Sequence, residues 1–526
     1  MDTKALRQKI LDLAIRGKLV PQDPSDEPAS VLLEKIREEK ARMVKDGKLK
    51  KKDIKNDSII YVGEDNLHYE KFQDGTVKCI EDEIPFDVPE GWAWERLSNL
   101  AAFSGGKTPS TSHREFWDGE ILWVTSKDMK NKYITFSQLR LSVLGAEQMQ
   151  MYQPDTLLLV TRSGILRHTL PVSILKERAT INQDLKAIVL YMPQLAEYIY
   201  VCLKGMEAQL LLKYTKSGTT VENINFNEFQ KILLPIPPLQ EMAKIIVAIC
   251  KAEHIISSIE DSKVELVKNV AKAKAKILDL AIRGKLVPQD PNDEPASVLL
   301  KRIRQEKEEL IKQGKIKRNK KEPVIFKGED NSYYEKMADG KLHCLDDQLP
   351  FELPEGWEWC NLSMIGTTNI GLTYRPTDIT ANGIMVLRSC NIVNDQIDLN
   401  DLVRVETTIR ENQFAQENDI LICARNGSRA LVGKCALIPS LGEPASFGAF
   451  MAIYRTEYFS YIVHYLRSTF FRSVFNDGNS TTINQLTQDM LKRAIVPFPP
   501  LAEQHRIVAA IEAMLYELNL MEKSLS

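Results

Sequence analysis

The chain has 526 residues, 44% of them hydrophobic and 27% charged, with a net charge of −2. That length exceeds one ordinary core and predicts two to four domains, and the composition excludes global disorder. The near-neutral balance argues against a protein that coats nucleic acid regardless of sequence, although a local basic surface still supplies phosphate contacts to a selective reader. No apolar run approaches the 18 residues of a membrane span, and the charged start is unlike a secretory signal, so no membrane partner and a cytoplasmic location are expected. Cys79, Cys202, Cys250, Cys344, Cys360, Cys390, Cys423 and Cys435 are scattered without a CxxC pair. They read as buried free thiols, neither a zinc site nor a disulfide framework.

In chain order, Leu6, Ile10 and Leu13 mark a first helix that Gly17 and Pro21 stop. A second helix follows, with Asp26 as N-cap, Pro28 in its first turn, and Val31, Leu32 and Ile36 at apolar spacing before Gly47. Residues 40–55 then carry eight Lys/Arg against two Asp. Short apolar runs at 156–160 and 187–190 sit between turn residues, which predicts a mixed α/β globule. No Gly or Pro occurs from 239 to 283, permitting a helix of 45 residues, roughly 65 Å long. Its apolar residues step by three and four through Met242, Ile245, Ile249, Ala252, Ile256, Ile259, Leu266, Val270, Ala273, Ile277 and Leu280. Lys263 alone breaks this seam, so a coiled coil is expected.

From there the chain repeats itself. Residues 276–307 match 9–40 except at Ser25/Asn292, Glu34/Lys301, Lys35/Arg302 and Glu38/Gln305. Gly284, Pro288, Asp293, Pro295, Val298, Leu299, Ile303 and Gly314 restate the same stops and starts. A second basic run, 301–321, holds ten Lys/Arg against three Glu. The match continues through GEDNLHYEKFQDG and GEDNSYYEKMADG (63–75, 328–340), VPEGWAW and LPEGWEW (88–94, 353–359), and LPIPPLQE and VPFPPLAE (234–241, 496–503). Between these flanks, roughly 95–215 and 360–475, almost all similarity is lost; the second middle has its own apolar runs at 420–423 and 449–454. Ile507, Ile511, Met514, Leu518, Met521 and Leu525 repeat the first half of the long seam, and Leu6, Ile10 and Leu13 repeat its second half. The two terminal helices thus stand in together for a second long helix, giving an expected pseudo-twofold repeat with antiparallel spacers. Like flanks imply one frame and one partner surface used twice. Unlike middles imply two modules addressing different targets.

Chemistry-bearing motifs are missing from the sequence. GGKT (105–108) would need glycine at 101 to be a P-loop, and alanine stands there. Neither HExxH nor GxSxG occurs, the PP pairs at 237–238 and 499–500 lack the flanks of an adenine methyltransferase tetrapeptide, and the seven histidines are far apart.

The order of segments resembles the specificity subunits of type I restriction-modification enzymes. The similarity is carried by LPIPPLQE and VPFPPLAEQHRIVAAIE, by GGKTPS…FWDGEILWVTSKDM (105–129) and LLLVTRSGILRH…ATINQDLKAI (157–188), and by DILICARNGSRALVGKCALI (419–438) and ASFGAFMAIYR (445–455). GTT…IN (218–225) and GNSTTIN (478–484) are similar to the turn ahead of each helix in that family. The resemblance implies an α+β chain, with two mixed α/β target-recognition domains joined by long antiparallel coiled-coil helices. Boundaries are expected at 1–91, 92–236, 237–284, 285–356, 357–497 and 498–526. It further implies a non-catalytic reader of double-stranded DNA with a bipartite target, bound to two methyltransferase subunits and, in the restricting complex, two motor-nuclease subunits. No cofactor is expected in this chain; S-adenosylmethionine would belong to the methyltransferase, ATP and magnesium to the motor. The alternatives are a self-contained DNA methyltransferase or nuclease with duplicated binding domains, and a coiled-coil scaffold without a nucleic-acid role.

Candidate DNA-contacting residues are those that interrupt apolar loop-and-strand runs with polar or basic side chains. In the first module they are Lys107, Arg114, Ser126, Lys127, Arg162, Ser163, Arg167, His168, Asn182 and Gln183. In the second they are Arg375, Arg388, Asn391, Arg425, Asn426, Ser428, Arg429 and Lys434. Arg bridges guanine O6 and N7, and Asn or Gln bridges adenine N6 and N7, so these residue types suit the task. Arg162 and Arg425 stand out, each following an apolar run and preceding a small residue and Gly, with Asn182 and Gln183 next.

Overall fold

The computed structural model describes residues 2–51, 54–55, 57–216, 221–316, 324–336, 340–473 and 485–525. It divides into two compact units, 1–262 and 263–526. One helix, Leu239–Ile282, gives its first half to the first unit and its second half to the other.

In the first unit, helix Thr3–Ile15 runs antiparallel to that half. Arg7 pairs with Glu253 at 2.9 Å and Glu260 at 2.7 Å, while Ala14 and Ile15 share a core with Met242, Ile245 and Ile249. In the second unit the C-terminal helix Leu501–Leu525 does the same. Lys274 meets Glu522 at 2.5 Å, and Leu278 and Ile282 share a core with Ile507 and Ile511. The seam is not buried throughout, however: Ile259, Leu266, Met514 and Met521 are exposed. Ile256 and Val270 on the same seam are buried, so the five-heptad seam read from the sequence is covered at some of its positions and open at others.

The repeated flanks build one frame twice. After the first helix Gly17 takes φ +62°, and a Cβ on it would lie 2.4 Å from Pro89 Cγ; Gly284 repeats this with φ +64° and Pro354 at 2.3 Å. Only glycine lets the turn close against the PEGW loop at this distance. Trp92 Nε1 of that loop donates to Glu241 Oε2 at 3.0 Å, and Gln22 Nε2 donates to Glu241 Oε1 at 3.1 Å. Trp357, Glu503 and Gln289 form the same triad at 2.9 and 3.1 Å.

The following helices, Ala29–Lys45 and Ala296–Lys312, begin with Pro28 and Pro295 at the N-cap and no side-chain cap, not with Asp26 and Asp293. Those carboxylates pair with Lys244 at 3.0 Å and Arg506 at 2.6 Å, leaving the helix start to be tied by Ala29 N to Gly91 O and Ala296 N to Gly356 O, both 2.8 Å. Both helices then stop as expected, with Gly47 and Gly314 at positive φ. A three-stranded sheet follows in each unit: Ser58–Val62, His68–Phe72 and Val77–Cys79, then Val324–Lys327, Tyr333–Lys336 and Leu342–Cys344. Cys79 and Cys344 face solvent there, and Cys250 and Cys390 are exposed too, so burial holds only for Cys202, Cys360, Cys423 and Cys435.

Each of the two unlike middles is closed at its base by the duplicated flanks themselves. Ala93–Arg96 pairs antiparallel with Leu233–Ile236, and Glu358–Asn361 with Ile495–Phe498. Above the base, sequence similarity disappears but topology does not. The first domain holds a sheet ordered Ala101–Gly105, Leu185–Leu190, Leu157–Val160, Val172–Leu175, Tyr133–Ile134. The second has Thr367–Ile370, Met451–Arg455, Ile420–Cys423, Cys435–Leu437, in the same order without the last edge. Each has a second sheet in which a parallel pair ends together: Trp117–Val124 with Ala179–Ile181, and Ile379–Leu387 with Ala445–Phe447.

The two frames differ inside. A cavity of about 450 Å³ in the first unit is lined by Arg37, Lys40, Asp57, Glu95 and Asn99 among others. Lys40, the first cation of the basic run, is 2% exposed and pairs with Asp57 at 2.6 Å, so it serves the fold and not a ligand surface. Part of both basic runs lies outside the described residues. Glu95 accepts from Asn99 Nδ2 at 2.6 Å, and burial raises its carboxyl to about 7; Cys360 and Met364 occupy the matching places in the second unit.

A carboxyl raised in the folded state stabilises below its unfolded value, and that contribution is lost as pH rises to about 7. Glu95→Gln removes this loss. Urea unfolding should therefore show the variant gaining on the order of 2–3 kcal/mol relative to the parent between pH 4.5 and pH 8.

Candidate nucleic-acid interface

The ends of the paired parallel strands gather the candidate loops. In the first unit Ile181 lies opposite Val124. Beyond these two residues come the turn with Ser126 and Lys127 and the turn with Asn182 and Gln183. Gly106 closes on the second turn, where a Cβ would lie 2.1 Å from Ile181 O. The GGKT glycine is thus required by backbone approach. Lys107 N donates to Ile181 O at 3.0 Å, and Thr108 Oγ1 donates to Gln183 Oε1.

Arg162 sits on the neighbouring turn. Thr161 N donates to Asp184 O at 2.9 Å, Ile224 N donates to Thr161 O at 2.9 Å, and Arg162 bridges Asn223. Ser163 then caps the turn Gly164–Arg167, accepting from Ile165 N at 3.4 Å.

The second unit reproduces this arrangement with other residues. Ala424 N donates to Phe450 O at 2.9 Å, Leu486 N donates to Ala424 O at 2.7 Å, and Arg425 bridges Gln485. Asn426 Oδ1 accepts from Ser428 N at 2.9 Å, as Ser163 does in the first unit. Gly371 takes the part of Gly106, with Phe447 O 2.2 Å from a Cβ placed on it. Arg162 and Arg425 therefore hold one structural position, both with exposed side chains.

The sequence model of the type I restriction modification DNA specificity domain matches residues 89–266 and 354–526. The chain belongs to this family. The type I restriction enzyme EcoAI specificity subunit of Escherichia coli is 30% identical over 581 residues, covering 98% of this chain and 89% of the relative. The EcoEI specificity subunit of the same species is 26% identical, covering 97% and 88%. A chain solved in work on complex assembly and conformational transition of the type I R-M system has the same fold. Its TM-score is 0.50 at 15% identity, covering 84% of this chain and 94% of that one. The expectation of a specificity subunit, and of an α+β fold with two recognition domains on long helices, agrees with these findings. Both matched segments begin just before the Trp of a PEGW loop and leave the 32-residue repeats and the three-stranded sheets outside.

The remaining candidates of this specificity subunit divide by exposure. Lys107, Arg114, Lys127, His168, Gln183, Arg375, Ser428 and Arg429 are exposed, and Ser126, Ser163, Asn426 and Lys434 are half-buried. Arg167 reaches solvent but pairs with buried Glu222 at 2.6 Å, and half-buried Arg388 pairs with Asp401 at 3.0 Å. Asn182 and Asn391 are buried, and their amides are engaged within the fold. Asn182 exchanges bonds with Asp184, while Asn391 donates to Asp398 O and Asp401 O, both at 2.9 Å, and accepts from Arg388 N. Both side chains build their own turns, and base-edge contact by these two stays an expectation of the sequence. GNSTTIN and the start of GTT…IN lie outside the described residues. Sequence reasoning passed over Asn223, Gln485, Asp184 and Phe450. Their only signal was adjacency across strands, which one chain does not display. Among the described residues no group of three or more His, Cys, Asp or Glu is placed to hold a metal, and no helix is long and apolar enough to cross a membrane.

Asn391→Ala leaves carbonyls and an amide without partners. The expected loss is ~1–3 kcal/mol of stability by urea unfolding, with the DNA sequence recognised left unchanged in methylation mapping.

Proposed function

We propose that this specificity subunit reads a bipartite double-stranded DNA target, with one half-site per recognition domain. It would do so on behalf of two methyltransferase subunits and, in the restricting complex, two motor-nuclease subunits. S-adenosylmethionine is then bound by the methyltransferase, and ATP and magnesium by the motor. The observation that carries this reading is the same loop arrangement built twice on one frame with different side chains around a constant arginine. A shared scaffold supports a shared partner surface, and unlike loops at one position support unlike half-sites. The exposed candidates named above form the proposed contact surface, in the end-of-strand loops that rigid sheets position.

Replacing 95–215 with the matching span of a relative is expected to change one half-site of the methylated target and leave the other as it was. Genome-wide mapping of methylated positions checks this, and a change in both half-sites contradicts it.

One arginine kept in one place by two modules that read different sequences fits a contact common to every site, the phosphate backbone. Arg162→Ala and Arg425→Ala should each weaken binding about equally across all target variants and reduce the salt dependence of log K by about one. Selective loss at one base pair, by about 1–3 kcal/mol, would instead assign the arginine to guanine.

A further inference from the structure

Beside the constant arginine, the two modules part company at one residue. The main-chain oxygen that fixes the arginine's turn belongs to Asp184 in the first unit and to Phe450 in the second. Asp184 is half-buried and its carboxylate accepts from Asn182 Nδ2 at 3.2 Å. Phe450 is 60% exposed, at the turn between Ala445–Phe447 and Met451–Arg455. A phenyl ring this open gains little from the fold. The Arg425 guanidinium carbon lies over the ring 5.5 Å from its centroid, within the range of a cation–π contact. The arrangement is an exposed apolar ring set among polar candidates, which hydrogen bonding to base edges does not require.

The feature of duplex DNA that such a ring detects is the C5-methyl of thymine, the one apolar group on a major-groove base edge. Resting on the DNA-reading function above, we propose that Phe450 is a specificity-determining residue of the second module and packs on a thymine methyl in its half-site. The first module has no ring at this position and reads the corresponding base pair by other means.

The test uses the full chain assembled with its methyltransferase partner. Thymines of the second half-site are replaced one at a time by deoxyuridine, which lacks only the methyl. One substitution should weaken binding about fourfold, the effect of one buried methyl. Phe450→Ala should bind thymine and uracil duplexes alike at that position, and Phe450→Leu should keep part of the difference. Uracil substitutions in the first half-site should give the same ratio in parent and variant. The proposal is overturned if the parent discriminates at no thymine of the second half-site. It is also overturned if Phe450→Ala loses affinity equally for thymine and uracil duplexes, which would make the ring a wedge or a stacking platform. Absence of any sequence preference in the parent complex would remove the DNA-reading function itself, an outcome distinct from both.

Discussion

Glu241 and Glu503 are each 1% exposed, and each carries its carboxylate into a place where water cannot solvate it. Such burial is costly unless both oxygens find donors. The donors come from two other segments, an indole N–H from the PEGW loop and a glutamine amide from the loop after the first helix. The requirement that neither donor be absent joins three stretches far apart in sequence. It fixes how the long helix and the C-terminal helix begin, where the PEGW loop stands, and hence where the base strands of each recognition domain start. The glycine–proline contact works in the same direction, because the loop bearing the glutamine cannot approach without it. Remove the carboxylate and the frame keeps its elements but loses what orients them.

Much of this frame was legible in the sequence because it obeys short-range rules. Periodicity marked the long helix to within a residue, glycines marked the stops, and near-identity of the flanks marked the duplication. The misreadings share a cause as well. Asp26 and Asp293 have the spacing of helix caps, but a cation on another helix of the same unit claims them. Ile259 and Leu266 have the spacing of a seam, yet both are exposed while Ile256 and Val270 on the same seam are buried. Local pattern identifies what an element can do, and tertiary competition decides what it does.

The candidate interface was legible in part. Arg162 and Arg425 were picked out by their place after apolar runs, and both occupy exposed turns. Their equivalence was not visible, since TRSG and ARNG align only through hydrogen bonds such as Thr161 N to Asp184 O and Ala424 N to Phe450 O, whose partners lie far along the chain. Asn182 and Asn391 stood out as polar interruptions of apolar runs, but the bonds each makes within its turn were not visible in a string of letters. Phe450 escaped notice for the opposite reason, being an aromatic at the edge of an apolar run that the eye assigns to the core.

The pairing of Ala93–Arg96 with Leu233–Ile236 has a consequence for chain entropy. To the frame, everything between those strands is a loop whose ends already touch. The entropic cost of closing such a loop grows only logarithmically with length, by about 0.6 kcal/mol per doubling. Folding of the frame is therefore almost indifferent to the size of what it carries. The first recognition domain has added the edge strand Tyr133–Ile134 with no change in the register at its base. Larger insertions meet the same shallow penalty, so the limit on a recognition domain is set by its own core and not by the scaffold beneath it.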